Sequence, residues 1–208
     1  RTIRESVCGF EKKLGKGAVI HIGTWFGFDT EGHKPVYEII LKKSGAKLRQ
    51  ASASNENITV RERFTDDNSA ILFVGNYYNE EQPGKITYTH PGNGEEIVIP
   101  YSKDEFIWPA LYSVLTPVCL ELSEGLSILH STSDILDIAE NNKGIQISLY
   151  GDRDLAGEMV LEGPATQKIN SANIDGEPVQ IFRDKKYTSM NYIHKHRCEM
   201  ILNVKIRH

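Results

Sequence analysis

The sequence predicts a mainly β protein, built of antiparallel β-sandwich modules preceded by a short α/β tail. Three observations carry that expectation. In residues 145–150 (IQISLY) apolar and polar side chains alternate at period two, the mark of a strand with one buried face. Turn chemistry punctuates the chain: Asp66-Asp67-Asn68, Pro91-Gly92-Asn93-Gly94, Gly151-Asp152-Arg153-Asp154 and Asp175-Gly176-Glu177. Strands separated by such turns roughly every 8–12 residues are the pattern of a sandwich. Near the N-terminus a helical spacing stands alone, with Val36, Ile39 and Ile40 on one side and Glu38, Lys42 and Lys43 on the other.

Taken in order, Gly15-Lys16-Gly17 is a turn and residues 18–24 (AVIHIGT) are a nearly continuous apolar run. Such a run reads as a strand covered on both faces, as in a parallel sheet. Pro35 fits the start of the helix and Gly45 its end. One strand and one helix cannot bury their own faces. Residues 1–50 are therefore expected to be the terminal β-α unit of an incomplete α/β domain. Residues 51–55 (ASASN) are small and polar and read as a linker.

Residues 51–117 are expected to form a small β domain, with strands at 58–64, 69–76, 85–90 and 95–99. Residues 118–208 are expected to form a second antiparallel module. Its strands are read at 126–131, 145–150, 158–162, 167–174, 178–182 and 200–206. Residues 135–138 (ILDI) fit either a strand or a helical turn, and residues 190–198 show no clear pattern.

Composition narrows the function classes. The 208 residues carry a formal net charge of −4, which disfavours a nucleic-acid or anionic-membrane partner. The basic patches Lys185-Lys186 and His194-Lys195-His196-Arg197 read as solvated edges. Cys8, Cys119 and Cys198 are odd in number and lack a CxxC spacing, so neither a disulfide framework nor a zinc motif is indicated. That usage fits a reducing, cytoplasmic compartment. His194 and His196 share one face of a strand, but nothing places a third ligand beside them, and no metal or cofactor is expected. No signal peptide and no membrane-spanning run is present in the sequence. The first residue is Arg1, not Met, and the expectation is a fragment, a trimmed chain or a processed product, which leaves room for a catalytic domain upstream.

Three resemblances follow from particular residues. Ser131-Thr132-Ser133-Asp134, then Leu149-Tyr150-Gly151, then Gly157-Glu158 resemble the β domains that follow the catalytic barrel in β-galactosidases of glycoside hydrolase family 35; Asp134 stands where that family usually has Glu. Val60, Arg61, Arg63, Asp66, Asp67, Leu72, Phe73 and Asn76 are similar to the small β domain of those galactosidases. Gly15, Gly17, Val19, Gly23, Thr24, Leu41 and Gly45 resemble the end of the flavodoxin-like domain of family 42 β-galactosidases. The resemblances run in the order those enzymes would have them, although the first part leans to one family and the later part to the other. They imply a non-catalytic C-terminal portion that packs on the catalytic barrel of a parent chain, which is a homo-oligomer in several members.

No catalytic centre is legible. Glycoside hydrolysis needs two carboxylates flanking one bond, and none of Glu95-Glu96, Asp104-Glu105, Glu121, Glu124, Glu158 or Glu162 is singled out by its context. There is no eightfold βα pattern and no G-x-S-x-G. The candidates for contact with a carbohydrate, a galactoside on the resemblance, are the aromatic residues Trp25, Phe26, Phe28, Tyr77, Tyr78 and Trp108, whose faces can pack on sugar C–H surface. The plainer reading of each is a core or interface residue. The competing function is a free-standing carbohydrate-binding β-sandwich.

Overall fold

Short alternating strands and tight turns fold the chain almost wholly into antiparallel sheets. The computed structural model describes residues 9–23, 30–46, 49–65, 69–123, 125–141, 144–195 and 199–206, and of 30–34 the backbone only. It divides into two compact units, Arg1–Leu48 and Arg49–His208. Among the described residues no helix is long and apolar enough to cross a membrane.

In the first unit β1 (Gly9–Leu14) and β2 (Gly17–Ile22) form a hairpin, followed by α1 (Thr30–Ser44). Gly15 takes φ 58° at the hairpin turn, a region open to glycine at little cost. The pairing corrects the reading of residues 18–24: β2 runs antiparallel to β1, and Val19 lies 52% exposed rather than covered on two faces. An apolar run signals burial only when another layer covers it. The helix starts before Pro35, which lies inside it. Its end is as expected, with Gly45 at φ 72° and the Ala46 N–H donating to the Leu41 carbonyl at 3.1 Å.

The second unit begins with β3 (Ala51–Ala53), β4 (Ile58–Phe64), β5 (Ala70–Asn76), β6 (Gln82–Gly84), β7 (Ile86–Thr89), β8 (Glu96–Ile99) and β9 (Phe106–Trp108). It continues through β10 (Tyr112–Ser123), β11 (Leu126–Ser131), β12 (Asp134–Asn141), β13 (Gly144–Tyr150) and β14 (Ala156–Glu162). After a 3-10 turn at Pro164–Lys168 come β15 (Ile169–Ile174), β16 (Glu177–Val179), β17 (Ile181–Arg183), β18 (Tyr187–Ile193) and β19 (Met200–Ile206). The stretch at 51–55 is thus not a free linker. Ala51 is buried, and β3 pairs with β7, where small side chains allow close packing.

A seven-stranded sheet, in the order β17-β18-β14-β11-β10-β5-β4, is the middle layer. Its central strands are covered on both faces, because successive side chains point opposite ways. Ile128 and Leu161 enter one core, while their neighbours Leu129 and Val160 enter the other. The first core is closed by a five-stranded sheet, order β12-β13-β19-β15-β16, through Ile147, Leu149, Leu202 and Val204. The second is closed by the three-stranded sheet β3-β7-β8 through Ile86, Tyr88 and Ile99, and by Trp108 of the β6-β9 pair. β10 runs through the expected boundary at residue 117 and ties β5 to β11. Residues 51–117 and 118–208 therefore share a sheet. Residues 135–138 resolve as strand, paired with β13. The longest strand, β10, and the seven-residue β18 are not among the strands read from the sequence.

The outer face of β5 and β10 is left open, with Ile71, Phe73 and Leu115 exposed. By contrast Ile145, Ile147 and Leu149 all face the core, and Ser148 on the opposite face is also buried.

Ile147→Ala should leave a cavity in the core and cost about 2–4 kcal/mol, read as a lower midpoint in urea. Backbone amides of β2 should exchange with solvent much faster than those of β13, since β2 has almost no buried residue. Comparable protection of the two strands in hydrogen-exchange mass spectrometry would mean that the first unit is covered in solution.

Candidate functional site

The motif residues Ser131-Thr132-Ser133-Asp134, Gly151 and Gly157-Glu158 come together in one buried polar network. The first four lie where the chain leaves β11 in the seven-stranded sheet and enters β12 in the five-stranded one. A backbone crossing between sheets loses its ladder partners, and buried polar groups must find others. Here local side chains supply them. Ser131 Oγ donates to the Ser133 carbonyl at 3.0 Å and accepts the Ser133 N–H at 3.1 Å. Thr132 Oγ1 accepts the Glu158 N–H at 2.8 Å, and the Thr132 N–H donates to the Glu158 carbonyl at 3.0 Å. Asp134 Oδ1 accepts the Leu115 N–H at 2.7 Å.

Two arms extend from this crossing. In the first, the Glu158 carboxylate is sealed from solvent, at 3% exposure, and accepts from four donors. They are His130 Nε2 at 2.8 Å, the Tyr101 N–H at 2.7 Å, the Ser102 N–H at 2.8 Å and the Ser102 hydroxyl. A carboxylate can only accept here, so His130 carries its proton on Nε2. In the second arm Ser133 Oγ lies 2.8 Å from His194 Nε2 and 2.9 Å from the Tyr192 hydroxyl. Both glycines of the motif make room for these rings. A Cβ on Gly151 would stand 2.5 Å from His194, and one on Gly157 2.1 Å from the Tyr192 ring.

Burial and hydrogen bonding set the charge states. Burial works to raise the Glu158 pKa, but the bond and charge of His130, the Ser102 hydroxyl and the Tyr101 N–H outweigh it and hold the group at about 2. Burial lowers His194 to about 4, against a smaller opposing pull from Asp152, so its imidazole is neutral. Burial lifts the Tyr192 hydroxyl to about 12, with Ser133 and Ser131 opposing.

Each arm holds a surface loop. Glu158 fixes the loop after β8 at Tyr101 and Ser102. His194 fixes the loop after β13: its carbonyl accepts the Asp154 N–H at 2.7 Å and its N–H donates to the Leu155 carbonyl at 2.9 Å. Asp154 is thereby kept at φ 62°, a left-handed conformation that few non-glycine residues adopt. A third loop, residues 77–81, is pinned by the buried Asn76. Its amide nitrogen lies 2.7 Å from the Glu80 carbonyl and 2.9 Å from that of Pro109. These loops enclose a cleft of about 520 Å³, lined by Lys103, Glu105, Asp152, Arg153 and Asp154 over a floor that includes Phe106 and Leu155.

The aromatic candidates are scattered. Trp25, Phe26 and Phe28 lie outside the described residues. Trp108 is fully buried and donates its indole N–H to the Gly84 carbonyl at 3.2 Å, so it is a core residue with no face to offer a ligand. Tyr78 is exposed on the 77–81 loop. Tyr77 is exposed on the open face of the middle sheet, its ring laid over Gly75, beside a groove of about 340 Å³ that also has Phe73, Leu115, Asp134 and Leu136 in its walls. Burial raises the Asp134 pKa there, and the Leu115 N–H partly offsets the rise. The residues that organise the loops escaped the aromatic criterion because they act by donating and accepting hydrogen bonds.

A second carboxylate group lines a smaller cavity of about 250 Å³, with His90, Glu95, Cys119 and Glu162. Burial pushes the Glu162 carboxyl up and the Cys119 thiol to about 12. Glu95 is held down by bonds from Lys186 and from the Tyr187 hydroxyl, the latter at 2.9 Å. Its charge is therefore neutralised by a neighbouring cation. Among the described residues no group of His, Cys, Asp and Glu is arranged to hold a metal ion.

No protein-family model matches the chain. Over 83 residues it is 31% identical to a beta-1,2-glucosyltransferase of Ignavibacterium album. That stretch is 39% of this chain and 11% of the length of the glucosyltransferase. The similarity is thus to a small part of a much longer carbohydrate-active protein.

Gly157→Ala should destabilise the protein by about 1–3 kcal/mol, because the Tyr192 ring must move out of a packed core; thermal melts measure it. Acid should act in two stages. His194 has a folded pKa of about 4 against an ordinary 6.5, so its contribution is full above 6.5 and is lost as pH falls towards 4. Glu158 has a folded pKa of about 2 against 4.5, so its contribution is present above 4.5 and is lost as pH falls towards 2. Melts across this range should show His194→Gln flattening the upper stage and Glu158→Gln the lower.

Proposed function

We propose that this chain is a non-catalytic, β-rich portion of a carbohydrate-active enzyme of the β-galactosidase-like type, and that it packs beside the catalytic barrel of its parent protein. The 83-residue similarity to part of a glucosyltransferase supports the carbohydrate side of the reading, and the motif resemblance alone supports its β-galactosidase-like type. The site chemistry supports it. Glu158 is sealed against substrate, and Glu95 is paired with Lys186. Burial withholds Glu158 from the role of acid or nucleophile that a glycoside needs. The architecture fits as well: layered antiparallel sheets with few long loops are suited to packing and to shaping a cleft edge. A galactoside is the ligand that the motif resemblance favours.

A second reading, a carbohydrate-binding sandwich acting on its own, is favoured by the exposed Tyr77 ring. An aromatic face supported by a glycine backbone is a natural surface for sugar C–H groups.

The purified chain should release no product from aryl β-galactosides or aryl β-glucosides. Turnover that disappears in Glu105→Gln or Asp152→Asn would overturn the non-catalytic reading, since it would place the chemistry in this chain.

A further inference from the structure

We infer that the cleft between residues 101–105 and 151–155 binds a neutral, polyhydroxylated ligand, a pyranoside unit of an oligosaccharide. The inference rests on the carbohydrate reading above and adds a place for the sugar that none of the aromatic candidates marks.

The first support is the way the walls are held. Residues flanking a binding site must keep their positions without the ligand, and buried hydrogen bonds beneath them achieve this. Both walls of the cleft are anchored in one buried network. Glu158 takes the N–H groups of Tyr101 and Ser102, directly before Lys103. The backbone of His194 grips Asp154 and Leu155, while its ring is fixed by Ser133.

The second support is the chemistry of the lining. Asp152, Arg153 and Asp154 place a cation between two carboxylates, and Lys103 and Glu105 face them with the same mixture. Each sugar hydroxyl both donates and accepts, so vicinal hydroxyls suit a wall of alternating carboxylate and guanidinium groups. Phosphates would meet the carboxylates, and a simple cation would meet Arg153 and Lys103. The floor is apolar, with Phe106 and Leu155 buried and Ile107 half exposed at the rim, which matches the C–H face of a pyranose. The volume, about 520 Å³, accommodates one or two sugar rings.

The test is a backbone amide NMR titration of the whole 208-residue chain with three probes: sophorose, lactose and cellobiose at millimolar concentration. The expected result is saturable shifts at residues 101–107 and 151–156 with at least one probe. Arg153→Ala and Glu105→Gln, both at exposed positions, should weaken that binding by about tenfold or more with unchanged melting temperature. Shifts confined to Tyr77, Phe73 and Leu115 would overturn the cleft assignment while keeping a carbohydrate role. Absence of shifts with every probe would overturn the cleft as a sugar site. The activity assay on the chain addresses the non-catalytic reading separately, so the two fail independently.

Discussion

The Glu158 carboxylate, accepting four hydrogen bonds without contact with water, is the constraint around which the second unit is arranged. A buried charge with unfilled acceptor sites is costly, and removing one partner leaves the rest exposed to that cost. His130 comes from β11, Glu158 from β14, and the two backbone donors from the loop after β8. The carboxylate therefore joins the middle sheet to the chain that leaves the three-stranded sheet. Hydrophobic packing alone would let those layers slide; directional bonds set one arrangement.

The middle sheet pays for its central position in sequence terms. Strands covered on both faces lose the clean alternation of apolar and polar residues, as β14 does with buried side chains from Gly157 to Leu161. Buried polar groups in such strands are costly unless they pair, and most of those of Glu158, Ser131 and Ser133 do. Glu158, His130, Ser131 and Ser133 pair with one another's elements and so form a strongly polar region inside a largely apolar layer. That region lies at the end of the sheet where the loops converge, which links the stability of the fold to the shape of the cleft.

The functional reading follows from the same geometry. Glu158 and His194, both with perturbed protonation, are engaged in holding loops, while the side chains that face the cleft stand on those loops. Rigid support beneath and adaptable polar groups above suit the cleft to the role proposed for it.

The sequence by itself determined the β class, the strands with clear period-two patterns such as β13, and the tight turns at Gly15 and at Pro91–Gly94, because these depend on local propensity and neighbouring side chains. It also displayed the motif Ser131–Asp134, Gly151, Gly157-Glu158 as a set of residues, though not as a cluster. Only the tertiary structure decided that β2 pairs antiparallel, that Ala51–Ala53 is a packed strand, and that Trp108 is core while Tyr77 is surface. These depend on which distant segment covers a given face. The buried network was out of reach for the same reason: Ser102 lies 56 residues from Glu158, and Ser133 lies 61 from His194. Period and propensity reach only a few residues along the chain, whereas a sheet brings together side chains whose separation in sequence leaves no local trace.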